Sequence, residues 1–399
     1  MRVFLIAGEP SGDALGAALM QGLRDLVADV AFDGVGGPLM EAQGLASRFP
    51  MAELSVMGLA EVLPRYRQLR RRMSECAQAV IATRPDTLIT IDSPDFCLLV
   101  ARQVRAADPR RQVRTVHYVA PSVWAWRPGR AAKMARFIDH VLALLPFEPP
   151  LMQAAGMDCD FVGHPVAAAP RATDAEIAAF RAAHELDGPY MLALPGSRAG
   201  EIARLAPVFG AAIGQFVSRH PEHRVVLPAA GAVASHVRAQ VENWPVRPLV
   251  LDPGGLSPEA AGEQKRAAFA GADLALAASG TVSLELAAAA TPMVIAYDFQ
   301  WLTWQIMRRM ALVDTVTLVN LVSESRTVPE CLGPDCRSGP IAARLEEVCA
   351  APQAQRAAMA LTMERLGQGG EAPGLRAARA VLAGLDRAGA QPRQIQPPP

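Results

Sequence analysis

The sequence predicts two doubly wound α/β domains in tandem. Short apolar runs without apolar/polar alternation recur along the chain, and helix-length, alanine-rich segments separate them. Such runs are typical of strands in parallel sheets that helices cover on both faces. The length of 399 residues suits two domains of roughly 150 to 200 residues each. We expect an N-terminal domain over 1–165, a C-terminal domain over 166–387 whose last helices can pack back on the first, and a disordered tail over 388–399.

The predicted strands lie in two series, one in each domain. They are Val3–Ala7, Thr87–Ile91, Val113–Val119 and Val141–Leu145, then Tyr190–Leu194, Val225–Pro228, Leu249–Leu251, Asp273–Ala277 and Met293–Tyr297. Ligands of such sheets bind beyond the carboxyl ends of the strands, and two facing domains form a cleft. The loops after these runs are therefore the first places to look for a site.

Composition and charge disfavour several classes of protein. Formal net charge is zero and only two of the 39 basic residues are lysines, which disfavours bulk nucleic-acid binding. The N-terminal apolar run is too short for a secretory signal, and no run of about 18 apolar residues is present, so we expect a cytoplasmic protein. The six cysteines are scattered without zinc-site spacing and are predicted to be free thiols.

The first strand is followed by the motif GEPSGDALG, residues 8–16, which places Ser11 and Gly12 where a helix begins. These residues could contact a phosphate or a sugar, or they could form a plain strand-to-helix turn. A second glycine cluster, 34–37, places Leu39 where a dinucleotide fingerprint requires glycine. A nicotinamide cofactor is therefore disfavoured.

The motif IDSPDF, residues 91–96, ends the second predicted strand with two carboxylates. Asp92 lies nearer the strand end and is the candidate general base, because a carboxylate there can take a proton from an attacking hydroxyl. The alternative for both carboxylates is helix capping, and Asp95 could as easily cap the next helix as take part in a reaction.

Two further first-domain features have no settled role. The segment His117–Arg127 places aromatic side chains in a loop after a strand, which suits a sugar, an acyl chain or a phosphate, or equally a loop packed on the sheet. His164 falls where the chain crosses between the domains, and we interpret it as part of a hinge.

An apolar segment runs into five arginines within eight residues and predicts a surface for an acceptor lipid or an anionic bilayer. The alternative is a solvated basic helix. The candidate residues are Val56, Met57, Leu59, Val62, Leu63, Arg65, Arg67, Arg70, Arg71 and Arg72.

The second domain contains the motifs that indicate a nucleotide. Ser279, Gly280 and Thr281 follow a strand and open a helix, where free N–H groups and hydroxyls suit a phosphate. Glu285, about one turn later, could accept hydrogen bonds from sugar hydroxyls. Arg198, in the motif LPGSR, is the candidate clamp for a diphosphate, and Asn320 is a weaker candidate for the same pocket. The alternatives are an ordinary capped helix and a salt bridge from Arg198 to Glu201.

The motifs GEPSGD, SVMGLAEVL, IDSPDF, HYVAPSVWAWR, FVGHP, LPGSR and ASGTVSLE together resemble the lipid-A-disaccharide synthase family, from about Val3 to about Leu366. The resemblance implies a glycosyltransferase-B architecture, with two Rossmann-like domains facing a cleft. It also implies an inverting transfer from UDP-2,3-diacylglucosamine to 2,3-diacylglucosamine 1-phosphate, which gives UDP and a β-1,6-linked disaccharide. The implied location is the cytoplasmic face of the inner membrane, with peripheral attachment.

The resemblance also implies roles for individual residues. Asp92 would be the base, and Arg198 would hold the donor diphosphate. The other substrate-binding residues would be Ser11, Gly12, Ser279, Gly280, Thr281, Glu285 and Asn320. We expect no cofactor and no catalytic metal, because arginine and a helix terminus can supply the positive charge. A homodimer is compatible with the sequence. The alternatives are a nucleotide-sugar epimerase of the same fold and a non-catalytic lipid- or nucleotide-binding protein.

Overall fold

A computed structural model describes residues 1–54, 59–299, 304–305 and 309–390. The chain divides into two compact units. Unit 1 contains residues 1–168 and the described residues from Gly369 onward, and unit 2 contains residues 169–368. Unit 2 ends before the predicted limit of 387, and the last helix lies in unit 1, the domain on which the sequence allows the last helices to pack.

Unit 1 is built on a parallel sheet with the strand order β2-β1-β3-β4-β5-β6. The strands are β1 Arg2–Ala7, β2 Ala31–Val35, β3 Thr87–Ile91, β4 Arg114–Tyr118, β5 His140–Ala143 and β6 Asp158–Phe161. The helices between them are α1 Pro10–Leu26, α2 Pro38–Ala42, α3 Leu59–Thr83, α4 Pro94–Ala107, α5 Gly129–Met134, α6 Pro149–Ala154 and α7 Pro165–Ala168.

Unit 2 repeats this plan with the strand order β12-β11-β10-β7-β8-β9, again parallel. Its strands are β7 Tyr190–Leu194, β8 Arg224–Pro228, β9 Leu249–Leu251, β10 Leu274–Ala277, β11 Met293–Tyr297 and β12 Glu330–Leu332. Its helices are α8 Asp174–Ala183, α9 Ala199–Val217, α10 Ala234–Val241, α11 Pro258–Ala270, α12 Val282–Ala288, α13 Leu318–Ser323, α14 Ser338–Ala350 and α15 Gln353–Arg365.

The predicted α/β class with two doubly wound sheets is confirmed, and every predicted run contains a strand. The central strands β1, β3, β7 and β10 are buried along nearly their whole length, because helices cover both faces of each sheet. Apolar side chains on both faces of the first sheet and a cluster around β7 and α9 form the cores of the two units.

The last helix, α16 Pro373–Ala390, packs on α1 through small residues. A Cβ added at Gly22 would lie 2.7 Å from the Gly374 carbonyl oxygen, and one at Gly374 would lie 2.5 Å from that of Ala18. Such contacts admit only glycine, so they set how closely the two helices approach. Residues 388–390 complete α16 instead of belonging to the predicted tail, and residues 391–399 lie outside the described residues.

Candidate active site

The Asp92 turn closes the carboxyl end of β3 in unit 1. The backbones of Asp92 and Ser93 are left-handed, with φ of +52° and +40°. Two consecutive non-glycine residues in this region carry a conformational cost, and such strain concentrates at functional sites. The Asp92 N–H donates to the Tyr118 carbonyl oxygen at 2.9 Å, which fixes the turn against the end of β4.

Ser11 lies beside this carboxylate, since its Oγ is 3.5 Å from Oδ2 of Asp92. The structure thus brings together two predicted residues, one from the first turn of α1 and one from the loop after β3. Gly12 is buried, and a Cβ there would lie 3.4 Å from the Ile91 carbonyl oxygen, which is an ordinary contact distance. A Cβ at Gly8 would lie 2.5 Å from Oγ of Ser93.

Asp13 is a residue of the GEPSGD motif that the sequence analysis did not single out. It is 3% exposed, and its carboxylate accepts hydrogen bonds from the N–H groups of Gly37, Leu39 and Met40 at 2.9 to 3.0 Å. It therefore caps α2 from another helix and anchors the second glycine cluster. This explains the motif's aspartate without a ligand.

The histidines and the second carboxylate of this region lie outside the turn's polar cluster. His117 is buried, its Nδ1 is 2.8 Å from Oγ1 of Thr90, and burial lowers its pKa to about 3. Burial likewise lowers the pKa of His164 to about 4, and its Nδ1 accepts from the Val166 N–H. Asp95 is fully exposed and forms an ion pair with Arg130 at 3.6 Å.

The aromatic loop packs on a buried carboxyl group. Nε1 of Trp124 donates to Oε1 of Glu148 at 3.2 Å, and the Trp124 ring meets Phe147 edge-on at 5.3 Å. Arg127 lies over the ring of Trp126, 3.9 Å from its centroid. The alternative of a loop packed on the protein therefore accounts for Trp124, whereas Trp126 and Arg127 form a separate, more open pair.

Glu148 predicts a pH dependence of stability. Glu148 is 3% exposed, and burial raises its pKa from 4.5 to about 7. Between these values the native state binds a proton that the unfolded chain does not, so the free energy of unfolding contributed by Glu148 falls as pH rises. Glu148→Gln should remove this fall, which is on the order of 3 kcal/mol.

Urea unfolding of both proteins at about pH 5 and about pH 8 measures this contribution. His117 contributes an opposite slope in both proteins, because its lowered pKa makes stability rise with pH up to about 6.5. The difference between the wild type and the variant therefore isolates Glu148. Equal pH slopes in the two proteins would contradict the prediction.

A cavity of about 500 Å³ lies in unit 2, beyond the carboxyl ends of β7, β8, β9 and β10. Its walls come from the loops after these strands and from α9, α11 and α12. The lining residues with polar groups or close backbone approach are Gly196, Ser197, Glu201, Gln264, Lys265, Ser279, Gly280, Thr281 and Glu285. The structure thus brings four predicted residues of ASGTVSLE to one pocket.

The loop from Ser279 to Val282 presents backbone donors to this pocket. In the described part of the chain, the N–H groups of Gly280, Thr281 and Val282 donate to no protein acceptor. Gly280 has φ of +154°, and no heavy atom lies within 4 Å of a Cβ built there. Because α12 has only seven residues, its dipole is small, and the hydroxyls and these N–H groups carry the capacity to bind an anion.

Lys265 is a pocket residue that the sequence analysis missed. Its Nζ lies 2.5 Å from Oε2 of Glu285 and 5.3 Å from the centroid of the Phe269 ring. It comes from the middle of α11, which carries no recognisable motif. The one sequence signal for a role of Lys265 is its rarity, because the chain has only two lysines.

The LPGSR loop is closed on itself by Glu201. Oε2 of Glu201 accepts from the Ser197 N–H at 3.1 Å, and a Cβ at Gly196 would lie 2.1 Å from that oxygen. Glycine with φ of +123° is therefore required at 196. Arg198 is exposed and occupies the N-cap position of α9, at the mouth of the same loop.

Asn320 lies away from the pocket lining. It is 1% exposed, its Nδ2 donates to Thr315 Oγ1 and to the Val328 carbonyl oxygen, and its Oδ1 accepts from the Val328 N–H. The structure does not bring its amide to the predicted nucleotide residues.

The predicted lipid surface is only partly described. Val56 and Met57 lie outside the described residues, and the side chains of Leu59, Val62, Leu63 and Arg65 are likewise not described. Arg67, Arg70 and Arg71 are exposed on α3. Among the described residues, no helix has the length and apolar character needed to span a membrane.

Arg71 pairs with Glu75 at 2.7 Å and stays exposed, whereas Arg72 is half-buried and is held by two carboxylates. Its guanidinium donates to both oxygens of Glu53 at 2.8 and 2.9 Å and to Glu75 at 2.7 Å. It also lies 4.3 Å from the centroid of the Phe49 ring, and these carboxylates raise its pKa. It therefore fastens α3 to the turn at Met51–Glu53.

Relatives with assigned names match nearly the whole chain. The lipid-A-disaccharide synthase of Ruegeria pomeroyi is 68% identical over 383 residues, which cover 96% of this chain and 95% of that protein. That of Rhodospirillum centenum is 44% identical over 403 residues, with coverage of 99% and 98%.

Solved structures share the fold at low identity. The UDP-GlcNAc 2-epimerase of Neisseria meningitidis, bound to UDP-GlcNAc, has a TM-score of 0.62 at 11% identity and covers 97% of this chain and 100% of that one. A putative UDP-N-acetylglucosamine 2-epimerase from Listeria monocytogenes has a TM-score of 0.61 at 13% identity, with 98% coverage of each. At such identities the similarity shows the fold alone, and the epimerase alternative is not favoured.

The family comparison confirms the resemblance carried by the motifs. The model of the lipid-A-disaccharide synthetase family matches residues 3–380. With this match and relatives at 44% to 68% identity, the chain belongs to the lipid-A-disaccharide synthase family.

Proposed function

We propose that this chain joins UDP-2,3-diacylglucosamine to 2,3-diacylglucosamine 1-phosphate and releases UDP and the β-1,6-linked lipid A disaccharide 1-phosphate. The observation that carries the proposal is the unit 2 pocket, which combines backbone and hydroxyl groups at 279–281 that suit a phosphate with Lys265 and Glu285. Family membership supplies the identity of the two lipid substrates.

The donor is assigned to unit 2. The N–H groups and hydroxyls of Ser279, Gly280 and Thr281 bind a phosphate, and Glu285 accepts hydrogen bonds from the ribose hydroxyls. Lys265 pairs with Glu285 and places a positive charge in the same pocket. Arg198 adds a planar guanidinium, which suits the two phosphates of a diphosphate.

The acceptor is assigned to unit 1, where Asp92 is the base. Asp92 takes the proton of the acceptor 6-hydroxyl as its oxygen attacks the anomeric carbon of the donor. The new carbon–oxygen bond forms as the bond from that carbon to the diphosphate breaks, and UDP leaves with the electron pair. One displacement converts the α-linked donor into a β-linked product. Positive charge from Arg198 and Lys265 stabilises the departing diphosphate, so the proposal needs no metal in this step.

The experiment that tests the function measures UDP release by the purified protein in detergent. The protein receives UDP-2,3-diacylglucosamine with and without 2,3-diacylglucosamine 1-phosphate, and mass spectrometry follows the lipid products. We expect UDP and disaccharide to form together and only when the acceptor is present. Conversion of the donor to an epimer, or binding of the donor without turnover, would contradict the proposal.

We also propose that the exposed arginines of α3 attach the protein to the anionic inner face of the inner membrane. Arg67, Arg70 and Arg71 are exposed, and Arg70 lies 6.0 Å from the ring centroid of Tyr66, an aromatic side chain that is 52% exposed. Cationic and aromatic groups side by side suit the headgroup region of a bilayer.

Changing Arg67, Arg70 and Arg71 to Gln should weaken binding to phosphatidylglycerol vesicles. Each charge near an anionic surface contributes about 1 kcal/mol, so the triple variant should bind roughly a hundredfold more weakly. Arg72 is kept, because its loss would unfasten α3. Co-sedimentation measures the binding, and exposed Arg102, Arg110 and Arg136, changed together to Gln, are the charge-matched control. Equal loss in both triple variants, or in neither, would contradict the assignment to α3.

A further inference from the structure

A cluster of metal-ligating side chains lies in unit 2, in the turn between α9 and β8. The sequence there is HPEH, residues 220–223, and its two histidines and one glutamate each have a ligand atom within 4.8 Å of the others. His223 directly precedes β8, at the amino end of the sheet. The donor pocket lies beyond the carboxyl ends of the strands, so this cluster is a separate feature of unit 2.

The distances in the cluster suit a tetrahedral metal ion. Nδ1 of His220 lies 3.5 Å from Oε1 of Glu222, and Nδ1 of His223 lies 3.2 Å from the same oxygen. Ligands held at about 2.0 to 2.1 Å from a tetrahedral zinc ion lie about 3.3 to 3.4 Å from one another. Both histidine nitrogens therefore stand near the zinc-ligand spacing from the Glu222 oxygen, and the ligand atoms of all three residues lie within 4.8 Å of one another.

Two buried atoms of the cluster lack hydrogen bonds. Nδ1 of His223 belongs to a side chain that is 6% exposed, and it forms no hydrogen bond in the described part of the chain although Glu222 is adjacent. Oε1 of Glu346, on α14, is likewise buried without a hydrogen bond, and its ion-pair contact is Nη1 of Arg219 at 3.5 Å. Polar atoms buried without a hydrogen bond are rare in native proteins, and a cation held by both His223 and Glu222, whose ligand atoms lie 3.2 Å apart, would satisfy the first.

A second carboxylate orients the first histidine. Nε2 of His220 lies 2.6 Å from Oε2 of Glu346, which fits an Nε2–H donor and leaves the lone pair on Nδ1. Metal-binding histidines commonly donate their other N–H to a carboxylate in this way. The Phe216 ring stacks on His220 and meets His223 edge-on, which holds both imidazoles in place.

We propose that His220, Glu222 and His223 bind a zinc ion, with Glu346 supporting His220 and water in the fourth position. Two imidazoles and one carboxylate suit zinc in a four-coordinate site. The ion joins the turn before β8 to α14 through His220 and Glu346. Its expected effect is on the stability of unit 2, since it lies at the amino end of the sheet, away from the donor pocket at the carboxyl ends of the strands.

Calorimetric titration of the chelator-treated protein with zinc chloride tests the proposal. We expect one zinc per chain, and Glu222→Gln and His223→Gln should abolish that binding. Glu346→Gln should weaken it about 10- to 100-fold, as for other residues that support a ligand. His184→Gln is the matched control, because His184 also packs on a phenylalanine ring but belongs to no such group of metal-ligating side chains among the described residues. Cys349→Ser excludes binding by the partly exposed thiol on α14.

Thermal unfolding supplies the second readout. Zinc should raise the Tm of the wild type and of His184→Gln but not that of Glu222→Gln. Because the Glu222 side chain is exposed, its change to Gln should leave the fold intact, so a lost Tm shift reports lost zinc binding. Zinc binding that survives in Glu222→Gln and His223→Gln, or no binding to the wild type, would overturn the proposal. The transfer reaction should proceed at the same kcat with and without zinc below the melting transition, which keeps this test separate from that of the proposed function.

Discussion

Asp92→Asn should lower kcat for glycosyl transfer by about 10²- to 10⁴-fold, the contribution usual for a positioned general base. An amide cannot accept the proton of the acceptor hydroxyl. Asparagine is the suitable replacement because, like aspartate, it tolerates the left-handed backbone at this position, where φ is +52°. The variant should therefore keep the turn at the end of β3 and its hydrogen bond to Tyr118.

The measurement is the rate of acceptor-dependent UDP release, together with the affinity for UDP. The pocket assigned to UDP is lined by residues of unit 2, so Asp92→Asn should leave the Kd for UDP unchanged. Asp95→Asn is the matched control, because it removes the same charge three residues away from a fully exposed side chain. Activity within a few fold of wild type in Asp92→Asn, or equal losses in both variants, would exclude Asp92 as the base.

The central strands could be predicted from the sequence, whereas three edge strands could not. Strands β1, β3, β7 and β10 are buried on both faces and therefore read as continuous apolar runs. The missed strands β2, β6 and β12 lie at sheet edges and are only partly buried. Their polar residues, such as Asp33 and Asp160, interrupt the apolar run on which the prediction depended.

In the pocket, residues that are close in the sequence could be predicted, whereas residues that only the fold brings near could not. Ser279, Gly280, Thr281 and Glu285 are close in the chain and follow a strand, so the rule that ligands bind at carboxyl strand ends located them together. Lys265 reaches Glu285 from a different helix, and that contact exists only in the folded unit. The hydrogen bonds that occupy the Asn320 amide are also a property of the fold.

The basic segment shows how charge in a sequence differs from charge at a surface. Five arginines within eight residues look equivalent in the sequence, but Arg72 forms ion pairs with both Glu53 and Glu75. The Arg72 side chain is 24% exposed, whereas that of Arg71 is 78% exposed. Glu53 precedes the helix by several residues, so its pairing with Arg72 could not be inferred from helical spacing.

Arg198→Gln should lower kcat by about 10²- to 10³-fold, the loss usual when one preorganised donor to a developing charge is removed. Negative charge grows on the diphosphate as its bond to the sugar breaks, and a guanidinium can donate two parallel hydrogen bonds to it. Arg198→Lys keeps the charge without the planar fork, so its kcat should fall between those of the wild type and Arg198→Gln.

Arg204→Gln is the control for Arg198, since Arg204 is an exposed arginine of the same helix that donates to the Asp298 carbonyl oxygen at 3.1 Å. Transfer rates, UDP affinity and Tm are measured for all three variants. Because Arg198 occupies the N-cap position of α9, a merely structural role would lower Tm and would not distinguish Lys from Gln. If Tm is unchanged and kcat decreases from the wild type to Arg198→Lys to Arg198→Gln, Arg198 makes a contact that strengthens as the diphosphate departs. If kcat is equal in all of these proteins, Lys265 and the 279–281 loop alone stabilise the charge on the leaving group.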